Sequence, residues 1–242
     1  MFGAMGKSWK NAGIAANNAK KGAAFTKHAR ELQVAAKMGG PDPLSNSRLR
    51  IAIDEAREAS VPKDTIERAI RKGAGLDADA SQIEEITYEG YGPHKVGVIV
   101  ECLSDNRNRT AADVRTIFNK NDGQMGAEGS VGWMFDRVAL IEGKYKDGAS
   151  VDAEAEAIEA GANEFEDNED GTFSFYGEPT DLKIIEQALS SRGWKIMKAE
   201  LSYKAKNHTE LSEEQRKDVI EFLQALDDND DVSKLHTTLG AS

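Results

Sequence analysis

Four histidines and one cysteine are the side chains of this 242-residue chain best suited to nucleophilic, proton-transfer or metal chemistry. His28, His94, His208 and His236 fall in four different expected elements, and none has a metal-ligand partner at i, i+3 or i+4. Scattered imidazoles of this kind belong to surfaces and half-buried positions. Cys102 closes an apolar run with no neighbouring base to stabilise a thiolate, so it reads as a small buried hydrophobe. A single cysteine also excludes an internal disulfide framework and a multi-cysteine zinc site. The acidic run 164–170 lacks the alternating acids and central glycine of a calcium loop, and 227–231 (DDNDD) reads as a helix-to-strand turn. No acid/base pair or nucleophile constellation emerges. The expectation is a protein that is not an enzyme, with no metal, no cofactor and no small-molecule substrate.

Glycine spacing offers a second kind of chemistry. Gly123, Gly126, Gly129 and Gly132 recur every third residue in NDGQMGAEGSVGW. Ser130, not lysine, follows Gly129, so this is no Walker loop; a helix precedes and a strand follows, the reverse of a dinucleotide fingerprint. Two readings stay open. The glycines supply positive φ or close backbone approach, or their amides meet a phosphate.

The cations are more suggestive. Net charge is −11, which repels polyanions, but the distribution is uneven. Residues 1–75 hold 14 Lys+Arg against 7 Asp+Glu, and the remainder is strongly acidic. A basic head on an acidic body points to a polyanionic partner. Lys7, Lys10, Lys20, Lys21, Lys27 and Arg30 would neutralise phosphates, with Trp9 stacking on a base. The alternative is a solubilising tail whose Trp9 folds back as a hydrophobic staple. In SDNRNRT, Arg107 and Arg109 stand at a helix start where guanidinium forks and helix N–H groups suit phosphate. The alternative there is a capping loop, with Thr110 or Asn108 as N-cap and the arginines paired to local acids.

These residues need elements to position them. Segment 6–22 is rich in Ala, Asn, Gly and Lys, with Trp9 and Ile14 as its only large apolar groups, and reads as a mobile arm. Phe25, Ala29, Leu32 and Ala36 then follow a helical period that Gly39-Gly40-Pro41 stops. Asn46 precedes a second helix, and Pro62 opens a third that Gly73 closes. After a polar linker, 83–89 alternates, 96–103 reads as a buried strand, and a helix starts at Thr110. SVGWMF and VALIEG read as two short strands around Asp136-Arg137. With the elements up to Tyr203, the second of these completes βαββαβ, the ferredoxin-like order. The helix–strand pair at 211–239 must pack on some sheet, and the economical solution is a discontinuous domain. The expected organisation is a basic arm (1–22), a helical domain (23–82), a discontinuous α+β domain (83–135 plus 208–242) and an inserted ferredoxin-like domain (136–207). No apolar run reaches membrane-spanning length and no secretory signal is present, so a cytosolic setting is expected.

The motifs FTKHARELQVAAKMGGPDPLSNSRLRIAIDEA, VPKDTIERAIRKGAG, YEGYGP, VIVECLSDNRNRTAADVR and GAEGSVGWMF resemble the YebC family, also called DUF28, in order and nearly end to end. Its members are named as probable transcriptional regulatory proteins; a mitochondrial branch activates translation of a cytochrome oxidase subunit, and bacterial members are linked to the ribosome. The resemblance implies an α+β fold: an N-terminal three-helix domain followed by two ferredoxin-like α+β domains, one inserted in the other. It also implies a non-catalytic, nucleic-acid-associated regulator. Expected partners are DNA or structured RNA, the ribosome included, with no membrane. A translational activator binding rRNA and an acidic protein-interaction scaffold are the competing readings. The family usually opens GHSKWxxIKxxK; here Gly6-Lys7-Ser8-Trp9-Lys10 keeps the tryptophan without the histidine, and Met5 is an alternative start.

Overall fold

The computed structural model describes residues 18–77, 82–146 and 151–240. The chain is mixed α+β, with two four-stranded antiparallel sheets. The described residues divide into two compact units: Phe135–Lys204, and those from Asn18 to Met134 together with Ala205–Gly240.

The larger unit opens with α1 (Asn18–Gly39), α2 (Ser47–Glu58) and α3 (Lys63–Gly73). Residues 18–22 of the expected arm are thus helical. Leu32, Ala36, Leu49, Ile53, Ala56 and Ile66 bury one common cluster, as the helical spacing requires. Asn46 is the N-cap of α2, accepting from Leu49 N at 3.0 Å and donating to the carbonyls of Ala35 and Gly40, each at 2.8 Å. One amide therefore fixes both the end of α1 and the start of α2. Gly73 serves packing rather than a turn: a Cβ there would lie 2.1 Å from the Gln33 carbonyl oxygen, so its absence sets how closely α3 approaches α1.

The sheet of this unit contains β1 (Glu84–Tyr91), β2 (Gly97–Ser104), β3 (Gln124–Met125) and β8 (Val232–Thr237), in the order β3-β1-β2-β8. Val98, Val100 and Cys102 alternate along β2 into a core with Val114 and Phe118 of α4 (Arg107–Lys120). Phe222, Leu223 and Leu226 of α7 (Glu213–Asp227) complete that core, and the Phe118 and Phe222 rings meet edge to face at 4.9 Å. Leu103, next along β2, instead packs with Ile83 and with Val34 of α1. Its sheet builds a split βαβ from β2, α4 and β3, with β1 between the two strands. The third strand is the two-residue β3, not SVGWMF. Residues Gly132–Met134 form a single 3-10 turn.

In the smaller unit β4 (Phe135–Tyr145) is one continuous strand where two were expected; Asp136 and Arg137 are exposed residues within it, not a break. Then come α5 (Ala153–Ala160), β5 (Glu164–Asp167), β6 (Phe173–Gly177), α6 (Leu182–Ser191) and β7 (Trp194–Ala205). The strand order β5-β6-β4-β7 is that of a ferredoxin-like sheet. Trp194 is its central aromatic, meeting the rings of Tyr145, Phe173 and Phe175 edge on.

Candidate nucleic-acid interface

Three segments remote in sequence converge on one carboxylate. Arg30 comes from α1, Arg109 from the first turn of α4, and Asp231 from the turn between α7 and β8. Asp231 is only 4% exposed. Arg30 Nη1 stands 2.7 Å from Oδ1, and Arg109 Nη2 donates to Oδ2 at 3.0 Å. Thr110 Oγ1 and Ser104 Oγ donate to the same Oδ2 at 2.6 and 3.2 Å. Burial alone would push the Asp231 carboxyl up. The hydrogen bonds from Thr110 and Arg109 and the charges of Arg30 and Arg109 outweigh it, and hold the group below the usual carboxylate range.

Lys27, one helical turn before Arg30, pairs with Asp227 at 3.8 Å and donates to that residue's carbonyl; Arg30 also donates to the carbonyl of Asp230. Thus α1 grips the α7–β8 turn through two of the cations expected to meet phosphate. Arg109 bridges Asp231 and Asp105, the latter at 3.1 Å. The N-cap of α4 is Asn106, accepting from Arg109 N at 3.1 Å, and neither Asn108 nor Thr110. Thr110 is instead buried one turn into the helix with its hydroxyl on Asp231.

Arg107 is placed differently. Its carbonyl accepts from the Tyr88 hydroxyl, while its side chain is exposed and forms no ion pair among the described residues. An open groove of about 320 Å³ lies beside the clamp, lined by Phe25, Arg30 and Gln33 of α1, Thr65 and Lys72 of α3, and Asp105. Lys20 and Lys21 lie on the first turns of α1. Lys7, Trp9 and Lys10 lie outside the described residues.

The glycine series resolves into a turn whose amides already hold an anion, the Glu89 carboxylate of β1. Gly129 N donates to Oε1 at 2.9 Å, and Val131 N and Gly132 N donate to Oε2 at 2.9 and 2.7 Å. Gly129 takes φ +84°, and a Cβ on Gly126 would fall 2.4 Å from Ser130 Oγ.

Sequence reasoning passed over Asp231 as one residue of a polar turn and did not single out Glu89, the last residue of the alternating stretch 83–89. Burial pushes the Cys102 thiol up to about 12, so it stays protonated. Among the described residues no group of three or more His, Cys, Asp or Glu could hold a metal, and no helix is long and apolar enough to cross a membrane.

Comparison with known proteins gives the lineage. Residues 7–76 match the family model described as the TACO1/YebC protein N-terminal domain, and residues 83–239 match that of the TACO1/YebC second and third domain. A "probable transcriptional regulatory protein" of Bdellovibrio bacteriovorus is 62% identical over 97% of this chain and 100% of its own length. One from a Polaromonas strain is 46% identical, covering 97% and 99%. The crystal structure of a conserved hypothetical protein from Aquifex aeolicus superimposes with a TM-score of 0.81 at 37% identity, over 94% of this chain and 95% of that one. Matched in both its parts and along nearly its full length, the chain belongs to the TACO1/YebC family.

Proposed function

We propose that this protein is a non-catalytic, nucleic-acid-binding regulator of gene expression acting in the cytoplasm. The observation that carries the reading is the division of labour among its cations. Lys27, Arg30 and Arg109 are spent on the α7–β8 turn, whereas Arg107 and Lys72 stay exposed beside it, the first turns of α1 add Lys20 and Lys21, and the sequence before α1 adds Lys7 and Lys10. In this reading the second group meets the phosphate backbone, with Trp9 on a base. Lys27, Arg30 and Arg109 are positioning residues that aim α1 and the segment it carries. The names of the relatives, probable transcriptional regulatory proteins, support a regulator.

One observation favours structured RNA, the ribosome included, over operator DNA. The outer face of α3 interleaves Asp64 and Glu67 with Lys63, Arg68, Arg71 and Lys72, and Lys63 and Arg71 pair with Glu67 and Asp77. Such a helix suits phosphate contact better than base-edge readout in a major groove.

Co-sedimentation with ribosomes near physiological salt, with excess duplex DNA as competitor, tests both readings. Pelleting that DNA cannot displace is expected if RNA is the target; transfer onto the DNA returns the protein to transcription. Reversing Lys20 and Lys21 to glutamate should flatten the salt dependence of binding, whose log–log slope is about −0.9 per phosphate neutralised on duplex DNA. An unchanged slope removes these two lysines from the interface.

A further inference from the structure

A large aromatic side chain fixed in solvent needs a physical account, and the glycine turn carries one. Trp133 is 65% exposed. Its indole N–H is already satisfied by the Ser130 carbonyl at 3.1 Å, so what it presents to solvent is ring surface rather than a donor. The turn beneath it is closely held. Ser130 O also accepts from the Tyr91 hydroxyl at 3.2 Å, and the Glu89 carboxylate takes the amides of Gly129, Val131 and Gly132.

Gly132 precedes Trp133, and Gly126 and Gly129 are exposed, so few side chains stand in the way of a flat ligand. The next residue, Met134, accepts through its carbonyl from the backbone N–H of Lys206 at 2.9 Å, which ties the turn to the residue that follows β7. An exposed planar ring on a closely held turn, with its polar edge satisfied and glycine before it in sequence, has the composition of a platform on which unpaired bases stack.

We infer that Trp133 is a stacking platform for an unpaired nucleobase, held in place by the Glu89-bound glycine turn. The inference rests on the nucleic-acid reading above and narrows it to ligands with single-stranded or looped segments. Duplex DNA offers no free base face here, so Trp133 contributes to one class of ligand and not the other. Glu89 acts through the turn and is a positioning residue.

The test is fluorescence anisotropy with three labelled probes near physiological salt: a short uridine-rich RNA, single-stranded DNA of the same length, and the matching duplex. Trp133→Ala should weaken binding to both single strands by roughly 5- to 150-fold, the span of stacking losses on alanine substitution, and leave duplex binding unchanged. Trp133→Phe, which keeps a ring, should recover most of the loss. Glu89→Gln should weaken single-strand binding in the wild-type background and have no further effect in Trp133→Ala, a non-additivity that general destabilisation would not produce. Single-strand affinity unchanged in Trp133→Ala overturns the proposal. If the Lys20/Lys21 reversal still weakens that same binding, the nucleic-acid reading survives without Trp133. Absence of binding to all three probes by the wild type, with no ribosome pelleting, overturns both.

Discussion

Asp231 and Glu89 are both carboxylates around which the fold gathers donors, yet the donors differ in kind. Asp231 meets two guanidinium groups and two hydroxyls drawn from α1, the end of β2 and α4. Glu89 meets neutral backbone amides from a single turn. The first arrangement uses full charges to join elements far apart in the chain, 122 positions in the case of Arg109. The second uses peptide dipoles to fix the shape of a local loop some 40 positions away. A clamp of charges is therefore sensitive to protons and to the loss of one partner, whereas a nest of amides is sensitive to the backbone that aims them.

Removing Asp231 should have the largest effect. In Asp231→Ala the Arg30 guanidinium loses its counter-ion, and the buried Thr110 hydroxyl loses its shortest acceptor and keeps only Asn106 O and Ser104 Oγ. Breaking a buried pair costs about 3–5 kcal/mol, and the half-exposed side chain of Arg109 places the loss near the lower end. The urea unfolding midpoint measures it, and a change inside the ordinary surface range of about 0.5 kcal/mol would mean that the clamp does not hold α1.

Acid should reach the same site. A carboxyl depressed in the folded state adds stability above its unfolded value, near about pH 4, and that stability is lost as pH falls through the lower folded value. The melting temperature of the wild type should therefore fall more steeply on acidification than that of Asp231→Asn. Parallel curves would show that Asp231 does not govern the acid limb.

The glycine turn should respond less and more locally. Glu89→Gln keeps one acceptor oxygen and turns the other into a donor facing amides, an expected cost of about 1–3 kcal/mol. Amide exchange at Gly129, Val131 and Gly132 should accelerate while that of Phe118 in the core stays slow; uniform acceleration would make Glu89 a global determinant and erase the contrast. Smallest is Gly129→Ala. A Cβ there meets open space, so only the left-handed backbone is penalised, by about 1 kcal/mol. A stabilised Gly129→Ala would show that the turn does not require φ +84°.

What the sequence made legible follows the same division. Periodicity located the inward face of α1, and Asn46 was readable as a helix start because its signal is local. Local signals failed where two local solutions compete. SDNRNRT offers two asparagines and a threonine as caps, and the choice of Asn106 goes with a long-range commitment, Thr110 turned inward to Asp231. The strand β3 has two residues, too few for any alternation, and rests on Gly90, where a Cβ would lie 2.6 Å from the Gln124 carbonyl oxygen. Asp231 itself was hidden among four other polar residues of one turn. Nothing in DDNDD distinguishes the carboxylate that is buried from those that are not; only the tertiary fold selects it.

The Arg30–Asp231 pair also sets a clock. A ribosome releases Asp231 about 200 residues after Arg30, which at roughly 5–20 residues per second is on the order of 10–40 s. Throughout that interval Lys27 and Arg30 of α1 have no turn to grip. In every newly made molecule α1 is therefore synthesised long before the carboxylate that fixes its direction, and the aim of its cations is settled last.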